Sequence, residues 1–196
     1  MIKQFLLILV LIFSLQSWIK ADDIKDFEIE GMSIGDSLLD YVNENEINNN
    51  KIFRYNSNKY LQYNLELNNS QYDDLVIEFK NSGNYLIGSI IARIMYLDND
   101  FYKCSSKEKV ILSDLNNFFK KDADYIDHGI DKHEADKTGK SKGTWHTFQL
   151  KDGSGWIYLE CMNWSDKFNS DGFVDELKIT IFGTDFGNFL TNEAYK

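Results

Sequence analysis

Thr144-Trp-His-Thr-Phe-Gln-Leu-Lys151, Asp152-Gly-Ser-Gly155 and Trp156-Ile-Tyr-Leu-Glu-Cys-Met-Asn-Trp164 form two alternating runs divided by a turn-forming tetrapeptide. Successive side chains of a strand point to opposite faces, so two such runs around a Gly-rich turn predict an antiparallel hairpin. With Asp152–Gly155 as the turn, Lys151 is expected opposite Trp156, Gln149 opposite Tyr158, Thr147 opposite Glu160 and Trp145 opposite Met162. One face then carries His146, Phe148, Leu150, Ile157, Leu159 and Cys161, a set that reads as core. The other carries Trp145, Thr147, Gln149, Trp156, Tyr158, Glu160 and Trp164. Flat rings bind the apolar faces of ligands while nearby polar groups fix orientation. Trp145, Gln149, Trp156, Tyr158, Glu160 and Trp164 are therefore the candidate ligand-binding residues. The competing expectation is a face covered by a helix or knit together by cross-strand aromatic pairs.

Upstream of the hairpin the same period recurs. In Lys59–Leu67, Leu61, Tyr63, Leu65 and Leu67 share one face, and Leu75, Ile77 and Phe79 repeat the pattern before an Asn81-Ser-Gly-Asn84 turn. Tyr85–Leu97 is apolar on both parities and rich in isoleucine, which predicts a central strand with a bulge at Gly88. Downstream, Val174–Phe182 directs Leu177, Ile179 and Ile181 inward, and Phe186, Phe189 and Leu190 predict a short closing helix. Two S-x-x-[DE] boxes mark helix starts. Ser33-Ile-Gly-Asp36 predicts a helix over 34–47, and Ser105-Ser-Lys-Glu108 predicts one to about Lys121 with Ile111, Leu115, Phe118 and Phe119 on its apolar face. The charged stretch 122–142 reads as a loop. Together these elements predict an α+β fold, an antiparallel sheet of about six to seven strands with two main helices and a short C-terminal helix.

Residues 1–21 set the expected location. Phe5–Leu15 is an unbroken apolar block after Lys3, and Ala21 is a small residue at a cleavage point, the pattern of a secretory signal. The remainder, 22–196, reads as a single domain, free of a stable membrane anchor once the signal is removed. The chain carries a net charge of −10, or about −12 without residues 1–21, which hold Lys3 and Lys20 and no acid. Nucleic acids and anionic membranes select basic patches, so neither is an expected partner. Export favours disulfides, and the only two cysteines, Cys104 and Cys161, are expected to pair.

No coherent catalytic or metal-binding motif emerges, and no cofactor is expected. His128 and His133, with the acids of 122–136, are the first candidates for a general base, with Glu160 on the hairpin beside them; a solvated loop is the simpler reading. Gly139-Lys140-Ser141 ends like a phosphate loop, but Glu134 stands where its first glycine belongs. Asn169-Ser-Asp171-Gly172 resembles a calcium loop, yet Lys167 and Lys178 occupy carboxylate positions.

The stretch Phe27-Glu-Ile-Glu-Gly-Met-Ser-Ile-Gly-Asp-Ser-Leu-Leu-Asp-Tyr41 resembles the opening of small exported proteins of low-GC marine alphaproteobacteria. The resemblance extends through Cys104, Asp136–Lys142, Glu160-Cys161 and Asn188–Tyr195. It implies a Gram-negative periplasm and carries no activity with it. The expected function is thus a non-enzymatic periplasmic domain whose aromatic sheet face binds an envelope protein or a small ligand. A small hydrolase using His128, His133 or Glu160 is the alternative.

Overall fold

The structure, a computed structural model, describes residues 23–68, 70–97 and 101–196; the expected signal segment lies outside them. Seven strands form one antiparallel sheet: β1 (Tyr60–Leu65), β2 (Asp74–Lys80), β3 (Ile87–Tyr96), β4 (Ala123–Lys132), β5 (Lys142–Leu150), β6 (Gly155–Asn163) and β7 (Asp175–Gly183). Their spatial order is β1-β2-β3-β7-β6-β5-β4. The sheet is therefore two meanders, β1–β3 and β4–β7, joined where β7 pairs with β3. The α-helices are α1 (Glu44–Asn50), α2 (Phe101–Phe119), α3 (Asp166–Ser170) and α4 (Thr184–Asn192). The fold is α+β.

Helix α2 connects the meanders and lies across β6, β7 and β3. It buries Cys104, Leu115 and Phe119 in the core that holds Phe148, Ile157, Leu159, Leu177 and Ile181. Ile24, Met32, Leu38 and Ile47 from the N-terminal segment join the same core. Full burial of each such side chain contributes about 1.5–3 kcal/mol. Cys104 and Cys161 are joined in a disulfide, Cα–Cα 5.9 Å, that ties α2 to β6. Gly88 supplies the expected bulge. Glu78 faces Ser89 while Phe79 faces Ile87, leaving Gly88 unopposed, and a Cβ there would come within 2.6 Å of the Tyr60 ring.

Four local expectations are corrected. In the hairpin, Gln149 faces Trp156, Thr147 faces Tyr158 and Trp145 faces Glu160, two residues from the expected register. The cause is Gly155, which belongs to β6 and not to the turn. A Cβ on it would stand 2.4 Å from the Phe182 carbonyl oxygen, so glycine is needed for the approach of β7. A slip of two leaves every side chain on its expected face.

The expected 34–47 helix is replaced by a short 3₁₀ turn, Leu38–Asp40, followed by α1. Gly35 has φ +93°. Backbone bonds Gly35 N to Ile87 O and Ile87 N to Asp36 O, both 2.8 Å, hold this segment against the start of β3. Only half of the Ser33–Asp36 box forms, Ser33 N donating to the Asp36 carboxylate at 2.8 Å. Asn43 caps α1 instead, its Oδ1 accepting from Glu46 N at 2.9 Å.

Helix α2 already exists at Phe101, so Ser105 lies inside it. Glu108 turns into the core, where Thr144 Oγ1 donates to its carboxylate, and serves no cap. Finally, 122–142 is not all loop, because it contains β4. An edge strand needs only backbone partners, so charged side chains do not prevent it. Its bulge at His128–Gly129, with Gly129 at φ +70°, lies opposite Trp145.

Candidate functional site

Strand registers arrange three rows across the sheet face opposite the main core. The first runs Glu78, Ser89, Phe182, Trp156, Gln149; the second runs Val76, Ile91, Thr180, Tyr158, Thr147. The third runs Asp74, Arg93, Lys178, Glu160, Trp145. Helix α4 covers one end, burying Phe186 and Phe189 with Tyr55, Tyr60 and Phe182. Beyond it the face is open. Tyr158 is 41% exposed, and Trp145 and Trp156 are half-buried.

Two recesses flank Tyr158. The first, about 550 Å³, is walled by Trp156, Tyr158 and Phe182 of the sheet, Phe186 of α4, and Tyr55 and Tyr195 from the flanking segments. Trp156 stacks on Phe182 with centroids 5.4 Å apart, and Tyr158 meets the same ring edge-on at 5.0 Å. Glu78, Ser89 and Thr180 supply polar groups. Glu78 is 3% exposed, and Tyr55 donates its hydroxyl proton to Glu78 Oε1. Burial pushes the Glu78 carboxyl up, while hydrogen bonds from Tyr55 and Ser89 and the Arg54 charge moderate the shift. Burial, with the Glu78 charge, holds the Tyr55 phenol far above its ordinary range, so it remains a donor. Ser89 is fully buried opposite Glu78 in register, and its hydroxyl bears on that carboxyl.

The second recess, about 630 Å³, is lined by Trp145, Thr147, Tyr158, Glu160 and Lys178, with His128 and His133 from the β4 side. Glu160 is paired with Lys178, Oε2 to Nζ 2.6 Å. The β4 bulge places His128 Nε2 2.9 Å from Thr147 Oγ1. No carboxylate lies within ion-pairing distance of the His128 ring among the described residues. On the core face a separate polar cluster forms, with His146 Nε2 3.5 Å from Glu108 and His146 Nδ1 3.0 Å from the Tyr125 hydroxyl. Burial raises the Glu108 carboxyl there.

The candidate residues are thus divided. Trp156 lines the first recess, Trp145 and Glu160 the second, and Tyr158 is the wall between them. Gln149 ends the first row, exposed, and lines neither recess. Trp164 leaves the face altogether. Past the end of β6 its N–H donates to Asp175 Oδ1 at 2.8 Å, and its ring packs on His133, Phe168 and Phe173 at 4.6, 5.3 and 4.7 Å. Glu78, Ser89, Tyr55 and Tyr195 were not singled out from the sequence. Glu78 did carry a signal, a lone charge inside Leu75-Val-Ile-Glu-Phe79.

The phosphate-loop look-alike has a local explanation. Asp136 folds the chain around itself, accepting from Ser141 N and Oγ at 2.9 and 2.6 Å and from Thr138 N and Oγ1 at 2.9 and 2.7 Å. These donors hold its carboxyl well below the usual carboxylate range. Among the described residues, no three His, Cys, Asp or Glu side chains converge as metal ligands. Also among them, no helix is long and apolar enough to cross a membrane. Comparison with protein-family models, curated proteins and solved structures found no match for the chain.

Proposed function

We propose that the protein is an exported, non-enzymatic binding domain that holds a small ligand on its open aromatic sheet face, at Trp156 and Tyr158. The observation that carries this reading is the first recess, an aromatic-walled concavity with a buried carboxyl at its polar end. Ligand sites are concave and mainly apolar, with a few placed polar groups. The recesses favour a small molecule over a flat protein partner. Export rests on the 1–21 signal pattern together with the disulfide, a bond that persists in oxidising compartments. The resemblance in 27–41 places it in a Gram-negative periplasm.

The experiment is a thermal-shift screen of the purified protein against amino acids, amines, oligosaccharides and simple alcohols, repeated on Trp156→Ala and Tyr158→Ala. A hit whose stabilisation disappears in both variants supports the reading. Hits unaffected by either variant, or no hit at millimolar ligand, reject it.

The His128–Thr147 contact supports a second reading, hydrolysis in the second recess with His128 as base. Its weakness is chemical. His128 has no orienting acid among the described residues, and the Glu160 carboxylate is engaged by Lys178. Turnover of any ester or amide substrate that His128→Ala abolishes would establish it.

A further inference from the structure

We propose that the recess beside Trp156 selects a small organic ammonium ion, with Glu78 as its counter-charge. This rests on the small-ligand reading and names the ligand's chemistry. Three observations converge on it.

Six aromatic rings line the recess. Trp156, Tyr158 and Phe182 come from the sheet, Phe186 from α4, and Tyr55 and Tyr195 from segments on either side. Tyr55 and Tyr195 lie 5.6 Å apart, centroid to centroid, while Trp156 stacks on Phe182. A sugar needs one broad exposed ring as a platform. Several rings lining one recess instead suit a compact group, and ring faces attract a cation through the ring quadrupole.

The acid at the polar end is unpaired. Glu78 is 3% exposed, and the groups that hydrogen-bond to it, Tyr55 and Ser89, are both neutral hydroxyls. Among the described residues no Lys or Arg forms an ion pair with it. Arg54 also lines the recess and its charge acts on Glu78 from a distance, but its Nη1 reaches Gln62 Oε1 at 3.4 Å and its side chain is exposed, so it makes no ion pair with the acid. A buried carboxylate without a direct ion pair is costly, and an entering cation reduces that cost. Ser89, opposite Glu78 in register, adds a second neutral hydroxyl beside the acid.

The charge of the chain is favourable. A net charge of −10 raises the local concentration of small cations.

The test uses isosteres. Choline and 3,3-dimethylbutanol share a shape and differ by a positive nitrogen replacing a carbon; tetramethylammonium and glycine betaine complete the probe set. Each is titrated calorimetrically into the purified protein at pH 8. At least one ammonium probe is expected to bind, with choline about tenfold or more tighter than dimethylbutanol, the difference a desolvated cation–π and charge contact supplies. Glu78→Gln should remove that preference while still unfolding in one cooperative thermal transition, and Trp156→Ala should weaken both probes. Equal affinity for choline and dimethylbutanol overturns the inference, as does an unchanged preference in Glu78→Gln. Failure of all three ammonium probes at 10-millimolar scale, roughly the weak limit of useful recognition, overturns it too. If another compound in the screen still binds in a Trp156- and Tyr158-dependent manner, the inference alone fails and the small-ligand reading stands.

Discussion

Replacing both Cys104 and Cys161 by alanine removes the one covalent tie between α2 and the sheet. The two residues are 57 apart in sequence. Cross-linking a loop of that length reduces the entropy of the unfolded chain by an amount equivalent to about 4 kcal/mol at 25 °C in the chain-entropy model. Both residues are fully buried, so the loss of two sulfur atoms from the core adds to the cost. For a chain of this size, 1 kcal/mol corresponds to roughly 2–4 °C in Tm, so the double variant should melt about 8–16 °C lower. The assay is thermal unfolding followed by circular dichroism, on the oxidised protein and on the Cys104→Ala/Cys161→Ala variant. Burial also implies that reductant acts only when the structure opens. The oxidised protein should resist dithiothreitol under native conditions and lose the same increment when unfolded and refolded with it. A Tm change under about 3 °C, or full reduction of the folded protein within minutes, would show that α2 is held by packing alone and that the bond is peripheral.

Two further outcomes follow from particular contacts. Gly155→Ala places a methyl 2.4 Å from the Phe182 carbonyl oxygen and 2.9 Å from Ile24, so urea unfolding should register a loss of about 1–3 kcal/mol; an unchanged midpoint would refute the close β6–β7 approach. Glu78 carries the second. Its carboxyl is raised by burial in the folded state, so its stabilising contribution is full below the unfolded value of about 4.3 and is lost as pH rises through the higher folded value. The groups facing it are Tyr55 and Arg54 from 51–59, Gln62 of β1 and Ser89 of β3; α4 brings no ionisable side chain to the recess. Glu78→Gln should therefore gain Tm relative to the parent between pH 4 and 8, measured by scanning fluorimetry. A difference that is constant or that shrinks over this range contradicts the assignment.

Much of this architecture is legible in the sequence because period-two patterns survive small errors. The hairpin register was displaced by two, yet Phe148, Ile157 and Cys161 are in the core and Trp156 and Tyr158 on the open face, since an even slip preserves parity. Helix boundaries were less legible. Ser33–Asp36 and Ser105–Glu108 both have the capping pattern, but tertiary partners claim them, the β3 backbone in one case and Thr144 in the other. Strand β4 was hidden by its charges because edge pairing uses only the main chain. The candidate site was half readable. Strand alternation brings Trp145, Trp156, Tyr158 and Glu160 to one face, whereas Tyr55, Glu78 and Tyr195 come from distant parts of the chain and meet only through the fold. Trp164 shows the limit of parity, which fails once the chain leaves the strand.

The central claim is that a small ligand occupies the open face at Trp156. The most direct test follows the indole N–H resonances of Trp145, Trp156 and Trp164 in ¹⁵N-labelled protein while each compound of the panel is added. Trp164, packed among His133, Phe168 and Phe173 and outside the lining of the first recess, is the internal reference. The account predicts that a binding compound shifts the Trp156 resonance in a saturable manner while Trp164 stays fixed. A panel in which Trp156 never moves, or moves only together with Trp164, contradicts it.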